Sequence, residues 1–265
     1  MWTLLNILRA IENEDLASFK ENFTEWEKSV HSSPVSLANI LKLSCYSHDN
    51  IIFTCLIDGG FFKRDKSLQH LPDACLSGSL DKIKKIMILC SSFNDSSILI
   101  DSVNICIKKS KLNCLILVMK NCPDLNLESK FDGKTPLRSA IDKLEPIYVY
   151  YLLLFGANPN HLNYLTESIQ LMKKDNNPSL TKIIKLLLRF GSNVFSVDMN
   201  GNIPINYIEE NNEIAVLLQE KMSHPSKLGE ICRLALCRRM KNNFFDWINR
   251  SDLPLPMKNF LYFNC

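Results

Sequence analysis

The sequence predicts an all-α solenoid of about seven degenerate helix pairs, followed by a C-terminal segment of different character. Three observations predict this architecture. Apolar pairs recur every 30 to 35 residues, one interval carries a complete turn–helix–helix signature, and the last forty residues leave the pattern. A helix pair of this length cannot bury its apolar face alone, so neighbouring pairs must stack along the chain.

The repeat is clearest in the second helix of each unit, where an apolar pair marks the register. The first members of successive pairs are 33, 31, 32, 34, 35 and 30 residues apart. This interval predicts an array over residues 1–222, with the acidic first unit as a polar-faced cap. The pairs are Asn22-Phe23, Cys55-Leu56, Ile86-Met87, Val118-Met119, Leu152-Leu153, Leu187-Leu188 and Leu217-Leu218.

The most complete unit spans residues 131–162, and each of its signals has a physical basis. Asp132-Gly133 suits a tight turn, and Thr135 can cap a helix whose first residue is Pro136. Gly156 can supply the left-handed residue that ends the second helix. The unit resembles the ankyrin repeat, although Arg138 stands where that family usually has histidine.

Other units carry weaker copies of the same signals. Gly59 and Gly191 take the place of Gly156, and residues 200–205 repeat the turn at Asp132. An insertion near residues 175–178 is predicted to lie between the two helices of the sixth unit.

Composition excludes several function classes. A net charge of +3 in 265 residues is too small to predict nucleic-acid binding. The longest apolar run, residues 147–155, is too short to span a bilayer, and the N-terminus lacks a basic region and a cleavage site. Ten cysteines without a C-x-x-C pair are typical of small core residues in a reduced cytosolic protein. We therefore predict no nucleic-acid partner and no membrane partner.

No enzyme motif is present, so no catalytic residue, cofactor or metal ligand is predicted. The five histidines are scattered singly. Arginines near Cys232 suggest a reactive thiol, but the position of Cys232 favours burial against a partner or the last repeat. The lysine clusters 82–85 and 108–111 are predicted to be separate solvated helix faces.

The turns and the first helices of a stacked array form an extended concave surface suited to binding a partner. Phe131 and Tyr164 are predicted as exposed aromatic anchors, with capping of the local core as the alternative. The predicted substrate-binding surface comprises Tyr46, Asp73, Lys108, Lys109, Phe131, Lys134, Ser139, Asp142 and Tyr164.

The C-terminal segment combines a basic helix with a proline-containing apolar tail. Leu228, Cys232 and Leu236 are four residues apart and share one helix face, whereas Arg233, Arg238 and Arg239 fall elsewhere around the helix. We expect this segment to serve a partner and not a core.

Residues 226–265 resemble the SOCS box, predicted here as three helices. The helix around Cys232 is similar to its elongin-binding half and the proline-containing tail to its cullin-binding half. The resemblance assigns elongin binding to Leu228, Ile231, Cys232 and Leu236, and cullin binding to Leu253, Pro254, Leu255, Pro256, Met257, Phe260 and Leu261.

This segment departs from the SOCS-box pattern in two places. Lys227 replaces the usual small residue or proline before the helix. In the tail, Met257 follows Pro256 directly, where the family places two residues between its second proline and the next apolar position. Elongin binding is therefore better supported than cullin binding.

The two segments in this order resemble the ankyrin repeat and SOCS box family. The resemblance implies a non-catalytic adaptor of a ubiquitin ligase: the box recruits elongin C, elongin B and a cullin of the fifth class with its RING subunit. The repeats hold an unknown protein substrate for ubiquitination and proteasomal degradation. It also implies a place in the cytoplasm, with a nuclear pool allowed.

Two alternatives stay open. In a plain ankyrin scaffold the last helices only cap the array, and the chain expresses in soluble form without elongins, whereas an orphan box exposes apolar residues and aggregates. A small-molecule enzyme would require a buried polar cluster in a cleft.

Overall fold

The computed structural model describes residues 2–28, 34–47, 50–64, 68–89, 95–175, 177–209, 212–224, 227–240 and 243–263. Over these ranges the chain is helical and contains no β-strand. The helices form two compact units, residues 1–118 and 119–265. The predicted all-α repeat architecture is confirmed.

The first unit contains four helix pairs. Helix α1 packs against α3, α3 against α6, and α6 against α8, so the first helices of successive pairs lie side by side. A short helix and a 3₁₀ turn at Leu68–His70 separate the second and third pairs. The helices are α1 Trp2–Glu12, α2 Leu16–Lys28, α3 Pro34–Tyr46, α4 Ile51–Asp58, α5 Phe61–Arg64, α6 Leu71–Ser77, α7 Leu80–Leu89, α8 Ser96–Lys108 and α9 Leu112–Met119.

The second unit contains three further pairs and the C-terminal helices. A 3₁₀ turn at Pro204–Tyr207 replaces the first helix of the seventh pair. The insertion after Lys174 lies between α12 and α13, as predicted, although its Asn176 is outside the described residues. The helices are α10 Pro136–Asp142, α11 Pro146–Leu154, α12 Tyr164–Lys174, α13 Pro178–Arg189, α14 Glu213–Ser223, α15 Leu228–Met240, α16 Asn243–Arg250 and α17 Leu255–Leu261.

The local signals of the fifth repeat work as the sequence predicts. The Thr135 hydroxyl accepts a hydrogen bond from the backbone N–H of Arg138, and Pro136 is the first residue of α10. Gly156 has a φ of 97°, in the left-handed region that ends a helix. The prediction for Gly59 is wrong: its φ is −69°, and Gly60 takes the left-handed conformation one residue later.

Asparagine side chains tie consecutive turns of the second unit together. The Asn126 side-chain oxygen accepts a 2.7 Å hydrogen bond from the backbone N–H of Asn158. One repeat later, the Asn160 side chain accepts the same 2.7 Å bond from Asn193 and donates to the carbonyl of Gly191 at 3.0 Å. Each turn is thus fixed by a side chain of the preceding one, which sets the spacing between repeats.

Lys82 corrects the prediction that its cluster is a solvated face, because its side chain is fully buried. Its ammonium donates hydrogen bonds to the carbonyl oxygens of Ser44, at 2.8 Å, and Ser47, at 2.6 Å. These carbonyls lie at the C-terminal end of α3, where a helix has acceptors without intrahelical donors. Lys82 also lies 5.4 Å from the centroid of the Phe53 ring, a cation–π distance.

Within the described ranges, no helix combines the length and the apolar character needed to cross a membrane.

We predict that Lys82→Met lowers the free energy of unfolding by about 1–3 kcal/mol, because buried carbonyls lose their charged donor. Lys84→Met on the exposed face of the same helix is the matched control. Urea unfolding measured by circular dichroism compares the two variants. Equal stabilities would contradict a capping role for Lys82.

Candidate functional site

The outward face of α15 carries the residues assigned to elongin binding. Leu228 is 76% exposed, Ile231 51% and Leu236 38%, and Cys232 is also exposed. The four residues lie on one side of the helix, since their spacing of three and four residues matches the helical period. Exposing an apolar stripe of this kind to water costs free energy, which burial against a partner would recover.

The inward face of the same helix is formed by Arg233 and Cys237, which are 6% and 3% exposed. The Cys237 thiol lies 3.4 Å from the carbonyl oxygen of Leu154, to which it donates. Burial raises the pKa of this thiol to about 12, so it is protonated at neutral pH. Arg233 lies away from the apolar stripe, as its spacing predicts, but unlike the exposed Arg238 and Arg239 it points inward.

Arg233 is held between two aromatic rings of the C-terminal tail. Its guanidinium carbon lies 4.6 Å from the ring centroid of Phe260 and 4.0 Å from that of Phe263. Its Nη1 donates a 2.9 Å hydrogen bond to the carbonyl oxygen of Phe260. Phe263 in turn stacks on Phe190 of the sixth repeat, with ring centroids 3.8 Å apart. A planar, weakly hydrated guanidinium suits such a stack better than an ammonium.

Arg189 adds a second tie to the same tail. Its Nη1 donates a 2.7 Å hydrogen bond to the carbonyl oxygen of Phe263. Tyr150 donates through its hydroxyl to the carbonyl of Tyr262 at 2.9 Å. Two side chains of the repeats therefore hold the backbone that follows α17.

Helix α16 packs on the repeats through its aromatic face. Phe244 and Ile248 are fully buried, and the Phe245 ring stacks on Phe155 of the fifth repeat with centroids 5.7 Å apart. Next to this contact, Lys120 and Asp246 form a salt bridge of 2.6 Å. The C-terminal helices thus pack on the repeats of the second unit.

The residues assigned to cullin binding are divided between surface and interior. Leu255 is 70% exposed and Met257 51%, and Pro254 and Pro256 are exposed beside them. Leu253 and Phe260 are half-buried, whereas Leu261 is only 6% exposed. The expectation that all seven lie on the surface is corrected for Leu261, because the stack on Arg233 draws this end of α17 inward.

In the first unit, the residues assigned to the substrate surface lie on or beside the row of first helices. Tyr46, at the end of α3, is 55% exposed, and Asp73 of α6 is half-buried. Lys108 and Lys109 are exposed at the end of α8. All four are reachable from solvent.

In the second unit, two of these residues are not at the surface. Phe131 is 75% exposed, but Tyr164 and Ser139 are only 1% and 7% exposed. Seven residues separate Gly156 from Tyr164, so the short turn makes Tyr164 the first residue of α12 and turns its ring inward. Its hydroxyl lies 2.6 Å from that of Thr135. The alternative of capping the local core therefore holds for Tyr164.

Lys134 and Asp142 are exposed but engaged in an ion-pair network. Their salt bridge measures 2.8 Å, and Asp142 also accepts from Arg138 Nε at 2.9 Å. Arg138 further pairs with Glu167 of the next repeat. The two positive and two negative charges of this network cancel, so these residues exert little electrostatic attraction on a charged partner.

Over the described ranges, no group of three or more potential metal ligands converges. The eight cysteines of these ranges are free thiols, and most of them are buried: Cys45, Cys75, Cys106, Cys114, Cys122 and Cys237.

Known proteins are similar to this chain in sequence and in structure. The chain is 26% identical over 129 residues to mouse ankyrin repeat and SOCS box protein 5, a match that covers 49% of this chain and 38% of that relative. The structure matches the crystal structure of the human ASB11 ankyrin repeat domain with a TM-score of 0.56 and 17% identity, covering 83% of this chain and 99% of that domain. No family model matches the chain.

The structural match establishes an ankyrin repeat fold. The curated match supports the predicted resemblance to the ankyrin repeat and SOCS box family, and it extends over less than half of either chain.

We predict that Arg233→Lys loosens the C-terminal tail, because an ammonium cannot stack between Phe260 and Phe263. If the free energy of local opening falls by about 1.4 kcal/mol, the population of the open tail rises tenfold. The rate of hydrogen exchange at the backbone amides of residues 257–263 measures this opening. Arg239→Lys, on the exposed side of α15, is the control, and equal exchange in the two variants would contradict the role of the stack.

Proposed function

We propose that this chain is a non-catalytic adaptor of a ubiquitin ligase. Its C-terminal helices bind elongin C, which brings elongin B, and recruit a cullin of the fifth class with its RING subunit. Its repeats hold a protein substrate. The adaptor acts by raising the effective concentration of that substrate near the ubiquitin-loaded enzyme. The proposed site of action is the cytoplasm, with a nuclear pool allowed.

One observation carries the proposal: α15 buries an arginine and exposes its apolar stripe. A helix whose only task is to cap an array is expected to do the reverse, since burying a charge costs free energy and burying leucine gains it. Leu228, Ile231 and Leu236 are exposed to solvent, so a hydrophobic groove of a partner can take them.

The scaffold alternative is supported by a different observation. Phe244, Ile248 and Leu261 are buried, so α16 and α17 do cover the second unit. Capping by these two helices is compatible with the adaptor, because it leaves the outward face of α15 open. The two functions differ only in whether that face has an occupant.

We predict that Leu228→Asp abolishes co-purification of elongins B and C. Leu228 is 76% exposed, so the change leaves the fold intact while placing a carboxylate in the contact with the partner. Affinity purification of the tagged chain co-expressed with both elongins measures the effect, and the melting temperature is expected to stay unchanged.

Ile88→Asp is the matched control, since Ile88 is 73% exposed and belongs to the first unit. If the Leu228 variant still co-purifies with elongins, the assignment of this face to elongin binding is contradicted. A chain that is soluble without elongins and never captures them would favour the scaffold.

For the tail, we predict that Leu255→Asp together with Met257→Asp prevents recruitment of the cullin while elongins stay bound. Both side chains are more than half exposed, so the substitutions change a surface and not the core. The measurement is a pull-down of the purified cullin–RING pair by the adaptor–elongin complex.

Asn259→Asp introduces a single carboxylate, half the charge added by the double variant, at an exposed position of the same helix and serves as control. Undiminished cullin binding by the double variant would show that the tail has another role, and simultaneous loss of elongins would show that the two halves of the site are not separate.

A further inference from the structure

A groove in the first unit crosses three neighbouring first helices. It is a cavity of about 460 Å³ between α1, α3 and α6. Its apolar lining comes from Leu8, Leu43 and Leu76, one from each helix, and all three are half-buried. This volume lies within the range of sites that take small ligands or a few side chains of a partner.

Tyr46 stands at the edge of this groove and is 55% exposed. A tyrosine presents a large apolar ring with a polar tip and only two side-chain torsions to fix, so it contributes to interfaces at low entropic cost. Tyr46 and Asp73, both assigned to the substrate surface from the sequence, therefore meet at one cavity.

Acidic groups outnumber basic ones around the groove. Its charged lining consists of Glu12, Asp73 and Lys42. Burial raises the pKa of the Asp73 carboxyl, and the nearby Lys42 and His70 lower it in part. A carboxylate that has lost part of its hydration is stabilised by an added cation in contact with it.

We propose that this groove binds an exposed segment of the protein substrate in which an apolar side chain neighbours a lysine or arginine. The apolar side chain contacts Leu8, Leu43 and Leu76 and packs on Tyr46, and the cation pairs with Asp73, with the Glu12 carboxylate elsewhere in the groove lining adding to the negative charge. The inference rests on the proposed function, in which the repeats hold a substrate, and it names the chemistry of that substrate.

The probe is a library of short fluorescein-labelled peptides, each with leucine or phenylalanine beside lysine or arginine. Every peptide has a partner with glutamate in place of the basic residue. Binding to the full chain, purified after co-expression with elongins B and C, is measured by fluorescence anisotropy whether or not the elongins co-purify. We expect the basic peptides to bind about tenfold more tightly than their acidic partners, with the difference shrinking at high salt.

Variants of the chain locate the binding site. Asp73→Asn and Glu12→Gln are each expected to weaken the basic peptides several-fold, and Lys42→Gln is expected to tighten them. Glu21→Gln on α2, an exposed carboxylate outside the groove, is the matched control. The two carboxylates are replaced separately, and the melting temperature of each variant is recorded, so that loss of binding is distinguished from loss of folding.

Three results would overturn the inference: acidic partners that bind as tightly as basic peptides, an Asp73→Asn variant that behaves like Glu21→Gln, or a library from which no peptide binds. Elongin co-purification is recorded on the same samples. If the chain binds peptides but does not capture elongins, the result counts against the adaptor function. If the chain captures elongins but does not bind peptides, the result counts against the groove alone.

Discussion

The stack of Arg233 between Phe260 and Phe263 determines how the C-terminal helices present themselves. A charged side chain is placed in the interior at a cost in hydration, which two aromatic faces and a carbonyl acceptor offset. Because Arg233 and Cys237 are one helical turn apart, fixing them inward turns Leu228, Ile231 and Leu236 to solvent. The orientation of the whole stripe therefore depends on one buried cation and the rings around it.

Each of the two units has a buried cation that donates to carbonyl oxygens near the end of a helix. Lys82 donates to carbonyl oxygens at the end of α3, and Arg233 donates to the carbonyl of Phe260 near the end of α17. In each case the positive charge meets carbonyl oxygens at the C-terminal end of a helix, which carries a partial negative charge. Short helices in degenerate repeats have a large share of such acceptors, so long basic side chains from neighbouring helices are well suited to satisfy them.

The sequence predicts the repeat architecture well because its signals are local. Thr135, Pro136 and Gly156 act within one turn of their own helices, and the apolar pairs mark a period that survives the loss of most consensus residues. Lys82 and Tyr164 are predicted from the sequence to lie at the surface, because their burial depends on partners 38 and 29 residues away, Ser44 and Thr135. The inward position of Arg233 likewise depends on Phe260, 27 residues away. The available signal for Arg233 was its spacing of four from Cys237, opposite the apolar stripe, but a period alone does not state which face lies inward.

The two halves of the proposed ligase-binding segment differ in how freely they can act. The four elongin-assigned residues of α15 lie together on an open face, so a partner can cover them without disturbing the stack on Arg233. In α17, Leu255 and Met257 are open, but Leu261 is buried and Phe260 is engaged by Arg233. A partner that needed all of these residues would have to break the stack and the tie from Arg189 to Phe263. The departure from the SOCS-box spacing, at Pro256-Met257, falls in this same half, where the tail packs on its own repeats. In the proposed adaptor, elongin binding thus rests on a complete surface, and cullin recruitment depends on the part of the tail that precedes Phe260.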